Sequence, residues 1–242
     1  MIKIQNLTKR FGDLTALDSL NLTIHEGELF GLLGVNGAGK TTTIKLLSCL
    51  SKPTSGTAQI GGFDTVFNPI DVKKIISVSP QQTAVAPNLT VKENLELICG
   101  VHGYTRRDSK EMTERMLEEF GLQEIAASRA KTLSGGWQRR LSIAMALISR
   151  PKVLFLDEPT LGLDVLARRE LWNVIRSLKG KVTVVLTTHY LEESEALCDR
   201  IAVMAKGKLT ALGTVEELKA LTETASLEDA FVALNEKGGA GK

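Results

Sequence analysis

The chain has 242 residues, 43% of them hydrophobic, and a net charge of +2 from 30 basic and 28 acidic side chains. That length suits one large α/β domain or a core with a smaller lobe. The near balance of charge lacks the concentrated positive stripe that a phosphate backbone attracts, so no nucleic-acid partner is expected. Three scattered cysteines, Cys49, Cys99 and Cys198, form no C-x-x-C pair, which excludes a disulfide framework or zinc site and fits a reduced compartment.

Met1–Asn6 lacks the basic and apolar regions of a signal peptide, and no stretch approaches the roughly 20 apolar residues of a membrane span. Alternating apolar residues predict strands over Ile2–Arg10 and Leu20–Ile24, and an apolar run predicts a buried strand over Leu29–Leu33. Gly34-Val-Asn-Gly-Ala-Gly-Lys40-Thr41 follows, then a helix over Thr41–Leu50. Short strands are expected at Thr57–Ile60 and Ile75–Val78. The middle of the chain reads as helical, with Val91–Val101, Arg107–Phe120 and Trp137–Ile148, and Thr90 with Glu93 spells a capping box. After Pro151 the pattern alternates: strands Val153–Leu156 and Val182–Thr187, helices Leu166–Leu178 and Tyr190–Leu197, then a hairpin of Ile201–Met204 and Lys208–Leu212. Strand and helix in alternation argue for a mostly parallel sheet covered on both faces. Glu216–Leu221 and Leu227–Leu234 read as terminal helices, and Glu236–Lys242 as a frayed tail. The tail's Gly-Gly-Ala-Gly-Lys lacks a preceding strand and a following helix, so it is not read as a phosphate loop.

Gly34–Thr41 fits G-x-x-x-x-G-K-[S/T] at every fixed position, in the strand–loop–helix context that the motif requires. The glycines let backbone amides approach a triphosphate, the helix start adds its dipole, Lys40 reaches the β- and γ-phosphates, and the Thr41 hydroxyl suits Mg²⁺. Val153–Asp157 is an apolar strand ending in Asp157-Glu158, and parallel sheets bind ligands at such strand ends. Asp157 is expected at the metal, and Glu158 as the base that polarises water. His189 follows a strand end of the same kind and can donate to a γ-phosphate oxygen; His25 and His102 have no such setting. After strand Ile75–Val78, Gln81 can touch Mg²⁺ or its water, with Gln82 as its competitor. Leu133-Ser134-Gly135-Gly136 offers small residues and a hydroxyl ahead of a helix.

Together these residues resemble the nucleotide-binding domain of ATP-binding cassette (ABC) transporters over nearly the whole chain, in the family's order. Gly34–Thr41 is similar to the Walker A loop, with Asn36, Gly37, Ala38, Gly39 and Thr42 in the nucleotide contact set. Gln81 is similar to the Q-loop glutamine, Leu133–Trp137 to the signature motif, and Val153–Asp157 to the Walker B strand. Glu158 takes the place of the catalytic glutamate, Leu161–Asp164 of the D-loop, His189 of the switch histidine and Phe11 of the aromatic that stacks on adenine. Trp137 stands where the family usually has glutamine, and Val165 where proline often follows the D-loop aspartate.

The resemblance implies a P-loop NTPase: a mostly parallel sheet with an antiparallel β subdomain and a helical subdomain. It places the ATP-binding core in residues 1–85 and 151–222, the helical subdomain in 86–150, and a short helix and tail in 223–242. It implies ATP and Mg²⁺, with catalytic Glu158, His189 and Gln81, metal contacts from Thr41, Gln81 and Asp157, nucleotide contacts that include Gly135 and Asp164, and Ser134 and Gly136 meeting the nucleotide from a second cassette. It further implies a transmembrane permease that docks near Thr83–Leu89, a peripheral place on the cytoplasmic face of the membrane and, from Ser226–Phe231, export. The alternative is a non-transport cassette of the DNA-repair or ribosome-associated kind. The segment 82–131 is too short for the coiled coil of the former, and the single cassette differs from the usual pair of the latter.

Overall fold

The structure, a computed structural model, describes residues 1–239. Its elements in chain order are β1 (Ile2–Phe11), β2 (Leu14–Ile24), β3 (Leu29–Leu33), α1 (Lys40–Leu47), β4 (Ser55–Ile60), β5 (Phe63–Asp64), α2 (Pro69–Ile75) and β6 (Ile76–Ser79). A helical stretch follows, with α3 (Val91–Val101), α4 (Arg106–Glu119) and α5 (Gly135–Leu147), and 3-10 turns at Gln123–Ile125 and Ala130–Thr132. The chain then returns through β7 (Val153–Asp157), α6 (Val165–Arg176), β8 (Thr183–Thr188), α7 (Leu191–Leu197), β9 (Arg200–Ala205), β10 (Lys208–Gly213), α8 (Val215–Thr222) and α9 (Leu227–Gly239).

Two sheets result. One is antiparallel in the order β2-β1-β4-β5; the other has the order β10-β9-β3-β8-β7-β6 and is parallel except for the β9–β10 hairpin. The apolar runs of β7 and β8 fit a sheet buried on both faces. Leu154, Leu156, Val184 and Leu186 join the core shared with α3, α4 and α5. The residues between them, Val153, Phe155 and Val185, face the opposite core, which packs Ile2, Ile4, Leu17 and Leu20 of the antiparallel sheet against Ile44 and Leu47 of α1. A third core seats α8 and α9 on β9, through Leu218, Leu227 and Leu234 against Ile201 and Val203. Each fully buried side chain of this size contributes about 1.5–3 kcal/mol, so β7 is stabilised from both sides.

β2 begins at Leu14, six residues before the expected Leu20, because the β1–β2 pairing slips register between Ile4 and Leu7, Leu7 and Lys9, and Lys9 and Arg10. Those bulges break the period of two on which the sequence reading depends. β5 and α2 went unread for a different reason. They are two and seven residues long, and only Val72 of α2 is buried, so no periodicity develops. The capping box at Thr90 and Glu93 is present. α9 continues through residues 236–239, beyond the Leu234 expected from sequence, and the last three residues of the Gly-Gly-Ala-Gly-Lys tail lie outside the described residues.

Candidate active site

The loop between β3 and α1 is shaped by close backbone approach. A Cβ on Gly34 would stand 2.5 Å from the Met204 carbonyl oxygen, and Gly39, at φ 103°, would put one 2.8 Å from the Ala16 carbonyl oxygen. Side chains are therefore excluded where the chain must turn and leave its amides facing outward. The first turn of α1 receives no side-chain cap from Gly39, which leaves its N–H groups available to an anion. Lys40 is only 6% exposed. Its Nζ donates to Gly34 O at 2.6 Å and Val35 O at 3.4 Å, and it pairs with Glu158 Oε1 at 3.3 Å.

Parallel pairing brings three strand ends to one rim, with Leu33 opposite Thr188 and Asp157 opposite Thr187. Asp157 Oδ1 accepts from Thr187 Oγ1 at 2.6 Å and from Thr41 Oγ1 at 3.2 Å. The next residue, Glu158, adopts a left-handed φ of 48°, and its N–H donates to the carbonyl and hydroxyl oxygens of Thr187. That conformation costs a non-glycine residue about 1 kcal/mol or more and clusters at functional sites. It aims the carboxylate back over the loop, where Oε1 meets Lys40 and Oε2 lies 2.9 Å from His189 Nδ1. A carboxylate can only accept, so Nδ1 carries the proton in this bond.

Phe11, Asn36, Gly37, Ala38, Gly39, Lys40, Thr41, Thr42, Gln81, Glu158 and His189 all line one cavity of about 580 Å³. Phe11 is 52% exposed at its mouth, with Lys9 Nζ 4.8 Å from its ring centroid, so it is not a core residue. Of the two glutamines, Gln81 reaches the wall and Gln82 does not. Gly34 and Asp157 lie just behind the lining, in contact with Lys40 and Thr41. Ser134, Gly135, Gly136 and Asp164 are not among the lining residues. They form a separate surface, where Cβ atoms on Gly135 and Gly136 would meet Leu163 at 3.5 Å and Ala167 at 3.0 Å. Asp164 caps α6 through bonds from Leu166 N and Ala167 N, so Val165 sits on an already closed helix start. Trp137 is stacked by Arg140, 4.5 Å from its ring, and Arg140 also pairs with Glu170 of α6.

Several residues of the site were not found from sequence. Thr187 orients Asp157, and Leu14, Thr15, Ala16 and Lys206 line the cavity through bulged or loop backbone. Arg139 of α5 is the more informative omission. It is 4% exposed and donates to the carbonyls of Pro80, Gln81 and Glu158, the last two at 2.6 and 3.3 Å. Burial lowers its guanidinium pKa, countered by Asp157 and Glu193. The available signal was its spacing: Arg139 shares a helix face with buried Ser142, Ile143 and Ala146.

Residues 17–161 match the family model described as ABC transporter. The chain belongs to the ABC transporter family. It is similar to the probable multidrug ABC transporter ATP-binding protein YbhF of Escherichia coli (strain K12), at 42% identity over 97% of this chain and 41% of that protein. The daunorubicin resistance ATP-binding protein DrrA3 of Streptomyces coeruleorubidus is 43% identical over 91% of this chain and 70% of that protein. The human phospholipid-transporting ATPase ABCA3 is 43% identical over 90% of this chain, which spans only 13% of that protein. Among solved structures, an ATP binding subunit of an ABC transporter matches with a TM-score of 0.84 at 28% identity, over 97% of this chain and 99% of that one. The ATP-binding cassette MJ0796, a dimer in a post-hydrolysis state bound to ADP and Pi, matches with a TM-score of 0.77 at 30% identity, over 88% and 98% of the two chains. The described fold is thus that of an ABC ATPase cassette, and no helix among the described residues is long and apolar enough to cross a membrane.

Proposed function

We propose that this cassette hydrolyses ATP at the cavity of Lys40, Glu158 and His189 and thereby powers a transmembrane permease, in the direction of export. The observation that carries the reading is the convergence of these three side chains, from the segments that follow β3, β7 and β8, through contacts of 3.3 and 2.9 Å. The amides of the β3–α1 loop hold the phosphates, Lys40 exchanges part of its pairing with Glu158 for phosphate oxygens, and Phe11 stacks on the base. Glu158 takes the proton of the attacking water, and His189 holds its carboxylate in place. For Nε2 also to donate to a γ-phosphate oxygen, the ring must carry both protons.

Mg²⁺ fits the residues present. Thr41 and Asp157 offer hard oxygen ligands to one point, Gln81 reaches the same cavity, and the described residues contain no cluster of three or more His, Cys, Asp or Glu. A cation that keeps waters and takes phosphate oxygens needs no more than that from the protein. When bound, Mg²⁺ neutralises charge developing on the transferred phosphoryl group.

A second cassette completes the site. The N-cap Ser134 makes no side-chain bond to its own helix, whereas Thr90, Thr105, Asp164 and Thr214 each accept from their first turns. The start of α5 is therefore left open to a γ-phosphate held by a partner. The permease docks by the segment after Gln81, whose Ala86 is held on both its N–H and carbonyl by the Asn94 side chain. A cassette docked in that way lies on the cytoplasmic face of a membrane. Export follows from the drug-resistance and multidrug relatives, which also disfavour a non-transport cassette. The test is Glu158→Gln with Mg-ATP. Phosphate release is expected to fall by about 100-fold or more, while the variant elutes as a dimer in size-exclusion chromatography. Turnover at the parent's rate removes Glu158 as the base.

A further inference from the structure

Glu193 lies four residues beyond His189, in α7, and is fully buried. Its Oε1 accepts from the indole Nε1 of Trp172, on α6, at 3.2 Å. The hydroxyls of Thr160, the residue before the D-loop, and Thr188, beside His189, also face the carboxyl. Thr188 Oγ1 already accepts from Tyr190 N, so its own proton is free to be donated. Glu193 Oε2 and Thr160 Oγ1 are buried without a hydrogen-bond partner. No basic side chain pairs with Glu193 among the described ion pairs, and Arg139, whose charge reaches it, spends its guanidinium on three carbonyls.

Burial, with the charge of Glu158 as a smaller contribution, pushes the carboxyl up toward its neutral form. The Thr160 hydroxyl, which can both donate and accept, is the group placed to satisfy Oε2. A second link runs at the surface: Arg168 of α6 lies 4.7 Å over the Tyr190 ring, which packs 4.2 Å from that of His189. The helix that follows the D-loop is thus joined to the switch segment in two layers.

We propose that Glu193 is a positioning residue for hydrolysis, tying Thr160, just before the D-loop, and Trp172 of α6 to the Thr188–His189 segment, so that His189 holds its bond to Glu158 when α6 shifts. The proposal rests on the assignment of Glu158 and His189 above. It acts through the placement of His189 and touches no reacting atom.

The test compares the full chain with Glu193→Gln and Glu193→Ala, measuring kcat, KM and equilibrium affinity for Mg-ATP. The indole ¹⁵N–¹H signals of the two tryptophans are recorded alongside, with Trp137 as the internal control. The glutamine is neutral, accepts from Trp172 and donates to Thr160, so it is expected to keep kcat within about threefold of the parent. The alanine is expected to lower kcat by about tenfold or more with KM and affinity within about twofold, and to shift only the Trp172 signal. An alanine variant that hydrolyses like the parent, or a glutamine variant as impaired as the alanine, overturns the proposal. If Glu193→Ala does not fold, Trp172→Phe removes the donated proton alone; a kcat about threefold lower at unchanged KM supports the tie, and an unchanged kcat overturns it. Failure of the functional reading would show in the parent, whereas failure of the tie shows only in these variants.

Discussion

The two helix starts that this fold offers to a phosphate, at α1 and α5, are prepared differently. The first lies inside a lined cavity, with its lysine already bonded to loop carbonyls and to Glu158. The second stands at the surface beside the D-loop, with an exposed Ser134 that caps nothing. Seven-residue α2 and α7 also lack a side-chain cap, but neither opens on glycines as α5 does. On the reading proposed above, the difference separates a site that one chain assembles from a surface that a second cassette completes.

That contrast can be broken experimentally. Lys40→Ala should have the largest effect, weakening Mg-ATP affinity by about 100-fold or more by calorimetry, because it removes the charge that meets the β- and γ-phosphates. An unchanged affinity would contradict the assignment of the loop. Ser134→Ala should lower hydrolysis by about tenfold and diminish the nucleotide-driven dimer, while affinity of the isolated chain stays within about twofold. If monomer affinity falls with it, the two helix starts are not independent. Arg139→Met should destabilise the fold by about 2–4 kcal/mol in chemical denaturation, since it leaves the carbonyls of Pro80, Gln81 and Glu158 without their donor. Phe11→Ala should have the smallest effect, about a fivefold loss of ATP affinity that Phe11→Tyr restores. Equal loss of GTP and ATP affinity is expected, because stacking reads the ring face and not its substituents.

Motifs that carry their own backbone context were legible in the sequence. Gly34–Thr41 needs a strand before it and a helix after it, and both are strongly apolar or periodic. β7 and β8 were equally plain, since each centres on an apolar run, Val153–Leu156 and Val184–Leu186, of the kind that a strand buried on both faces requires. What escaped depends on long-range pairing. Thr187 matters because the β7–β8 register sets it opposite Asp157, and no local pattern encodes that partner. Arg139 projects from α5 toward carbonyls 58 and 59 residues earlier in the chain. Glu193 looked like one acid in the run Leu191-Glu-Glu-Ser-Glu195; only the fold distinguishes it from Glu192, which is exposed and pairs loosely with Arg168.

The single guanidinium of Arg139 has a mechanical consequence. Because it grips Pro80 and Gln81 on one side and the carbonyl of Glu158 on the other, the signature helix and the glutamine segment cannot slide past each other without loosening the carboxylate's own backbone anchor. If the proposed permease docks beyond Gln81, Arg139 is the side chain that ties that segment directly to the backbone of Glu158.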